Sequence, residues 1–216
     1  MGALLEITDP IETWTETLGP GTRLLHGFAK ADVPALLVEL SRIIEEAPFR
    51  QMVTPSGHPM SVAMTNCGAL GWVSDRAGYR YAPGDPQSGR PWPPMPARFR
   101  RLAQDAAAQA GFPDFRPDAC LINRYWPDAR MSLHQDRDER DLEAPIVSVS
   151  LGLPAVFLFG GLKRKDPTRR IPLEHGDVLV WGGPDRLRYH GVLPLKAGHH
   201  AELGCQRLNL TFRQAA

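Results

Sequence analysis

Apolar positions in the first half of the chain recur at helical spacing. Over 32–47, Leu36, Leu37, Leu40, Ile43 and Ile44 fall on one face of a 3.6-residue period, with Asp32 where an N-cap belongs. A second helix is predicted over 96–110. There Phe99, Leu102, Ala103 and Ala106 line one side, and Gly111 follows as a stop. Residues 48–95 between them are rich in Gly, Pro and aromatics, which predicts hairpins and loops. From Asp118 onward the period shortens to two. Short runs near 119–126, 131–136, 146–151, 156–159, 170–173, 177–181, 187–193 and 205–213 predict about eight strands with no helix between them. Such a run of strands suggests a sandwich or jelly roll. The stretch 160–169, "GGLKRKDPTR", is a basic connection inside it. There is no internal repeat.

Composition narrows this picture. At 216 residues the chain is most simply one domain, 1–216, with room for a sizeable core. Its 21 prolines are close to twice the usual share of about 5%, as a turn-rich β architecture requires. The 25 basic and 24 acidic side chains exclude a broadly basic surface but leave room for a local nucleic-acid groove. No apolar run approaches the roughly 20 residues that span a bilayer. The start, "MGALLEITDP", has no basic-then-apolar signal pattern, and Glu6 stands where a myristoylation signal needs Ser or Thr. The expectation is a soluble, cytoplasmic protein. Cys67, Cys120 and Cys205 are odd in number and widely spaced, so they read as reduced, mostly structural thiols.

Chemistry enters with "SLHQDRDE" over 132–139. Residues two apart on a strand share a face, so His134 and Asp136 would converge on one point. An imidazole with a carboxylate suits a first-row transition metal better than Ca²⁺ or Mg²⁺, which prefer all-oxygen sites. On its own, His-x-Asp is a weak signal, and a polar hairpin end is the commoner reading. A second histidine would complete a 2-His-1-carboxylate triad with open positions. Among His26, His58, His175, His190, His199 and His200, the strand-like run "RLRYHGVLP" favours His190, with His175 of "HGD" second. His199 and His200, in a glycine-bounded turn, read as exposed. At the C-terminus, Arg207, Asn209, Thr211 and Arg213 alternate with Leu208, Leu210 and Phe212. Any half-buried strand alternates so, but two arginines flanking an Asn also suit a dicarboxylate clamp. A diacid that also chelates iron is 2-oxoglutarate.

These residues resemble the AlkB family of Fe(II)- and 2-oxoglutarate-dependent dioxygenases. The resemblance is dense over about 48–214 and weaker in the first helix. It is carried by "PFRQMVTPSG", "MSVAMTNCG", "DACLINRY", "SLHQD", "APIVSVSLGLPA", "FGGLKR", "EHGDVLVWGG", "YHG" and "LNLTFRQA". Trp126, Arg137 and Arg140 depart from the family pattern. The resemblance implies an α+β chain with a mainly β core: a double-stranded β-helix, or cupin-like jelly roll, over 118–216. N-terminal helices and a nucleotide-recognition lid over 48–95 precede it. Iron would be held by His134, Asp136 and His190, which are also the catalytic centre. The cosubstrate would contact Asn123, Tyr125, Arg207, Asn209 and Arg213, with O2 as second cosubstrate.

The implied activity is DNA repair of alkylation damage. N-alkylated bases such as 1-methyladenine and 3-methylcytosine would be demethylated oxidatively, 2-oxoglutarate would become succinate, and formaldehyde would leave. The implied partner is alkylated DNA, single-stranded first and double-stranded or RNA next, acted on by a monomer with no membrane role. Enzymes acting on a base hold it outside the stack. Trp72, Tyr79 and Tyr81 supply flat faces for that, and Asp138 a carboxylate that favours a cationic lesion. Met64 and Arg164 are further substrate contacts, with Thr54, Ser56, Arg137, Lys163, Lys165, Arg169 and Arg170 around them. Two other readings compete. One is a 2-oxoglutarate hydroxylase acting on RNA, protein or a small molecule. The other is a catalytically silent jelly-roll binding module.

Overall fold

A computed structural model describes residues 12–216; the segment read above for signal and myristoylation patterns lies outside them. The described residues open with a hairpin, β1 (Trp14–Gly19) and β2 (Thr22–His26), and helix α1 (Val33–Glu46). Next come β3 (Arg50–Val53), β4 (Pro59–Gly68), the hairpin β5 (Gly71–Asp75) and β6 (Gly78–Ala82), and helix α2 (Ala97–Gln109). The remainder is β7 (Ala119–Tyr125), β8 (Met131–His134), β9 (Ile146–Gly152), β10 (Ala155–Phe159), β11 (Arg169–Leu173), β12 (Val178–Trp181), β13 (His190–Val192) and β14 (Arg207–Arg213). Both helices and all eight strands expected from the hydrophobic period are present, with ends shifted by a few residues.

Two sheets carry the fold. The larger has the order β1-β2-β12-β9-β14-β7-β4-β3 and the smaller β11-β10-β13-β8, with β5-β6 standing as a separate pair. The strand pairings are antiparallel. Far-apart segments become neighbours in these sheets, as β-helical winding requires. The period-two pattern explains how the layers stack. On β14, Leu208, Leu210 and Phe212 turn to the helices and pack with Leu36, Leu40, Phe99 and Leu102. Burying each such side chain contributes roughly 1.5–3 kcal/mol. The opposite face of the large sheet meets the small sheet through Leu121, Leu179, Trp181, Phe157 and Val192. The polar residues of β14 lie on that inner face, within the concavity.

One expectation needs correction, and two features had no forecast. Asp32 precedes α1, but its carboxylate makes no cap bond; Oδ1 accepts instead from Arg98 Nη1 at 2.8 Å. Strands β1 and β2 had no forecast, because Thr, Glu and Gly interrupt their alternation. β2 in turn pairs with β12, far along the chain. Residues 50–68 form one of the expected hairpins, β3 and β4, and this hairpin also extends the large sheet beside β7. Among the described residues, no helix is long and apolar enough to cross a membrane. Cys67 and Cys120 are buried and reduced, and Cys205 is free and exposed.

Candidate active site

The pairing of β13 with β8 places His190 directly opposite His134. A side chain at position 191 would prevent this approach, because a Cβ on Gly191 would lie 2.6 Å from the Met131 carbonyl oxygen. The imidazole centroids are 4.4 Å apart. Strand β8 ends at His134, and the extended chain beyond it brings in Asp136. Its Oδ1 is 3.4 Å from His134 Nε2 and its Oδ2 3.7 Å from His190 Nε2. One ligand atom from each residue lies within 4.8 Å of the others.

The ring tautomers follow from the backbone. His134 Nδ1 lies 2.8 Å from the Ser132 carbonyl oxygen, and His190 Nδ1 lies 3.0 Å from that of Arg188. A carbonyl only accepts, so both Nδ1 atoms carry the proton and both Nε2 atoms face Asp136 with a free lone pair. This is the tautomer a metal ligand needs. Behind them, His190 stacks on Phe157 at 5.7 Å and meets the Trp181 edge at 5.1 Å, which fixes the ring plane. Burial opposes ionisation of Asp136, but Arg213 and the two imidazoles outweigh it and hold the carboxyl well below the usual range. Burial likewise works against a charged His134, and the Asp136 contact more than offsets it, raising the imidazole. For His190 burial and the neighbouring His134 dominate and lower it. The donor set therefore fits a transition metal: two imidazole nitrogens, an ionised carboxylate and an open side toward the cavity.

That cavity is about 700 Å³. Asn123, Tyr125, Arg207, Asn209 and Arg213 line one part of it, with Met64 beside Asn123, and Trp72, Tyr79, Asp138 and Arg164 also line it. Register accounts for the first group, since Arg207 pairs with Tyr125 and Asn209 with Asn123 across β14 and β7. Arg207 is buried, and its Nη2 donates to Ser150 Oγ at 3.0 Å. Its Nε and Nη1 are enclosed without a partner, as is Asn123 Oδ1. A buried polar group left unpaired costs about 1–3 kcal/mol, so these atoms await a polar ligand. Burial lowers the Arg207 guanidinium below its ordinary value, against the pull of Tyr125. Arg213 is differently engaged. Its Nε and Nη2 donate to Asp136 Oδ2 at 3.1 and 2.6 Å. Six residues apart on one strand, the two arginines have Cα atoms about 20 Å apart and reach in from opposite ends. They are not two arms on one carboxylate.

The rim is aromatic. Trp72 stacks near Tyr79 at 5.6 Å and donates its Nε1–H to Asp138 Oδ2 at 2.9 Å. The Arg164 guanidinium lies 5.9 Å over Tyr189. Tyr81 turns away from the cavity wall and donates its hydroxyl to Glu139 Oε1 at 2.6 Å. Thr54 and Arg137 also line the cavity, whereas the Ser56 hydroxyl pairs with Thr54 at 2.9 Å. In the basic loop, Lys163 and Lys165 are exposed and Arg169 pairs with Glu16 at 2.8 Å. Trp126 is 47% exposed, with Arg124 lying 5.5 Å over its ring.

Some residues of the site had no forecast. Ser148 and Ser150 of β9 hold Asn209 and Arg207; their i, i+2 spacing in "VSVS" was a readable signal. Glu139 and Arg186 form a buried pair at 2.9 Å that also braces Tyr81 and Arg213, and nothing local in the sequence announces it. His200 is only partly exposed and lies tilted against His175, with ring centroids 4.3 Å apart, contrary to the expected exposed turn. His26 sits against Trp14, away from the centre.

Residues 21–213 match the family described as the 2OG-Fe(II) oxygenase superfamily. The chain is 59% identical over 212 residues to the alpha-ketoglutarate-dependent dioxygenase AlkB of Escherichia coli K12, covering 98% of both. It is 30% identical over 226 residues to an Arabidopsis thaliana protein named DNA N(6)-methyladenine demethylase ALKBH1D, covering 92% of this chain and 50% of that one. Among solved structures, OsALKBH1 superimposes with a TM-score of 0.80 at 30% identity, covering 93% of this chain and all of that one.

Proposed function

The chain belongs to the 2OG-Fe(II) oxygenase superfamily, and on that footing we propose that it oxidatively demethylates N-alkylated bases in nucleic acid. DNA bearing 1-methyladenine or 3-methylcytosine is the leading substrate. The observation that carries this reading is the convergence of His134 Nε2, His190 Nε2 and the Asp136 carboxylate, with both imidazole protons tied to backbone carbonyls. His134, Asp136 and His190 would hold Fe(II). Bound iron and 2-oxoglutarate supply the oxidation: 2-oxoglutarate and O2 become succinate and CO2, and the hydroxylated N-methyl carbon leaves as formaldehyde.

The protein's own residues do the placing. Arg207, with Asn209, Asn123 and Tyr125, receives one carboxylate of 2-oxoglutarate; the unpaired Arg207 nitrogens and Asn123 oxygen support this. Arg213 sits at the iron end and offsets negative charge beside Asp136. Trp72 and Tyr79 give a flat face for an extruded base, and Met64 lines the same cavity beside Asn123. Asp138, oriented by the Trp72 indole, selects a cationic lesion. Arg164 meets the phosphate path, so affinity falls with salt. Tyr81 acts through Glu139 as a brace of the lid.

Single-stranded DNA is the preferred form, because extruding a base from a duplex costs a few kcal/mol in lost pairing and stacking. We read 1–216 as one monomeric, cytoplasmic domain. Residues 118–216 form its catalytic core, and 48–95 supply the recognition lid. The test uses Fe(II), 2-oxoglutarate, O2 and a single-stranded oligonucleotide carrying one 1-methyladenine. The expected result is adenine, with formaldehyde and succinate formed in equal amounts. Succinate formation that no methylated base stimulates would contradict the assignment.

A further inference from the structure

His175 was the second candidate for the metal, and the structure gives it other work. Its Nδ1 accepts the Gly152 N–H at 2.9 Å. Two rungs of the same strand edge precede that bond. Ser150 N–H donates to the Asp177 carbonyl at 2.9 Å, and Gly176 N–H to the Ser150 carbonyl at 2.8 Å. The imidazole thus stands in for the next backbone carbonyl, where β12 has run out. On its other edge, β9 faces the cosubstrate strand: Gly152 pairs with Arg207, and Ser150 with Asn209. Ser150 and Ser148 are the side chains that hold Arg207 and Asn209. At φ 89°, Gly152 presses so closely on the chain entering β14 that a Cβ would lie 2.4 Å from the Gln206 carbonyl oxygen.

We propose that His175 is a positioning residue for the 2-oxoglutarate pocket: by accepting the Gly152 N–H it fixes the end of β9, and through it the Arg207 guanidinium. The inference rests on the reading of Arg207 as a cosubstrate contact.

A second metal site is the rival use of this corner, since His175, His200 and Glu202 offer ligand atoms within 4.8 Å of one another. The tautomers argue against it. His175 Nδ1 accepts from Gly152, and His200 Nδ1 accepts the Glu202 N–H at 3.3 Å. Both neutral rings therefore carry their proton on Nε2, the reverse of His134 and His190. The His175 Nε2–H faces Glu202 at 3.6 Å.

The bond is also sensitive to acid, because a protonated Nδ1 cannot accept. Burial, His200 and Lys30 push His175 below the usual imidazole value of 6.5, outweighing Glu202 and Asp177, the acidic groups that face it. For a group lowered in the folded protein, the contribution is complete above about pH 6.5 and is lost as pH falls through the lower folded value.

The test is calorimetric titration of 2-oxoglutarate into Mn(II)-loaded protein, which needs no turnover. His175→Asn keeps an acceptor at the Nδ1 position, His175→Gln moves it to the Nε2 position, and His175→Leu removes it. The expected result is affinity about tenfold weaker in the Leu and Gln variants and near wild type in Asn, a difference of about 1.4 kcal/mol. Binding of a methylated oligonucleotide should be unchanged in all of them. Acid-side weakening of 2-oxoglutarate binding should be larger in wild type than in His175→Asn. If His175→Leu fails to fold, the Asn and Gln variants carry the comparison. Equal affinity in Asn and Gln, or equal losses for cosubstrate and oligonucleotide, overturns the role of His175. A second Mn(II) per chain that disappears in His200→Ala also overturns it. Wild-type protein that binds no 2-oxoglutarate overturns the pocket reading and this inference together.

Discussion

Each imidazole at the centre commits one nitrogen to a backbone carbonyl and leaves the other for the shared point near Asp136. The same logic, one atom at a time, assigns work at the rim. Replacing Trp72 by Ala removes both a stacking face and the donor that orients Asp138. Base–aromatic stacking is worth about 1–3 kcal/mol, so KM for a methylated oligonucleotide should rise about tenfold or more. KM for 2-oxoglutarate should stay level, and steady-state kinetics in both substrates will show whether it does. Asp138→Asn should lower kcat/KM for cationic 1-methyladenine about tenfold, as the loss of about 1.4 kcal/mol of transition-state stabilisation requires. A neutral methylated base such as 3-methylthymine should be little affected. Equal losses on the two lesions would contradict the charge-selection role.

Individual strands show how far period-two reading reaches. On β14 it was complete: Arg207, Asn209, Thr211 and Arg213 all line the cavity, and the leucines and Phe212 all face the helices. It succeeded because one apolar and one polar face, both buried, impose a strict alternation. It could not show that Arg213 would be bonded to Asp136, because that contact joins segments 77 residues apart. Nor could it reveal the Glu139–Arg186 pair, whose partners are side chains from different loops. Breaking that pair leaves a buried guanidinium uncompensated, at a cost of about 3–5 kcal/mol. Glu139→Leu should therefore lower Tm by about 10 °C, given 2–4 °C per kcal/mol at this size. A shift under about 2 °C on thermal denaturation would show the pair to be dispensable. The short strand β13 makes a separate demand. Gly191→Ala forces β13 away from the Met131 carbonyl, moving His190 from His134, so metal affinity should fall about tenfold or more. Anaerobic metal titration reads it directly.

At the scale of the whole molecule, the winding of two sheets assembles one site from β7, β8, β13, β14 and the chain after β8. The segments that carry recognisable chemistry were legible as motifs: "SLHQD", "YHG", "NRY" and "LNLTFR" all meet in one cavity. The hairpin β1-β2 escaped because its alternation is broken and its partner is supplied by topology. The direction of Tyr81, the tautomer of His175 and the distance between Arg207 and Arg213 are likewise products of packing. The metal centre is tested most directly by anaerobic titration of Fe(II) into wild-type protein and into Asp136→Ala and His190→Ala. The expected result is one ion bound per chain in wild type, with that binding abolished in Asp136→Ala and weakened at least a hundredfold in His190→Ala, about 2.7 kcal/mol. Undiminished binding in both variants would contradict it.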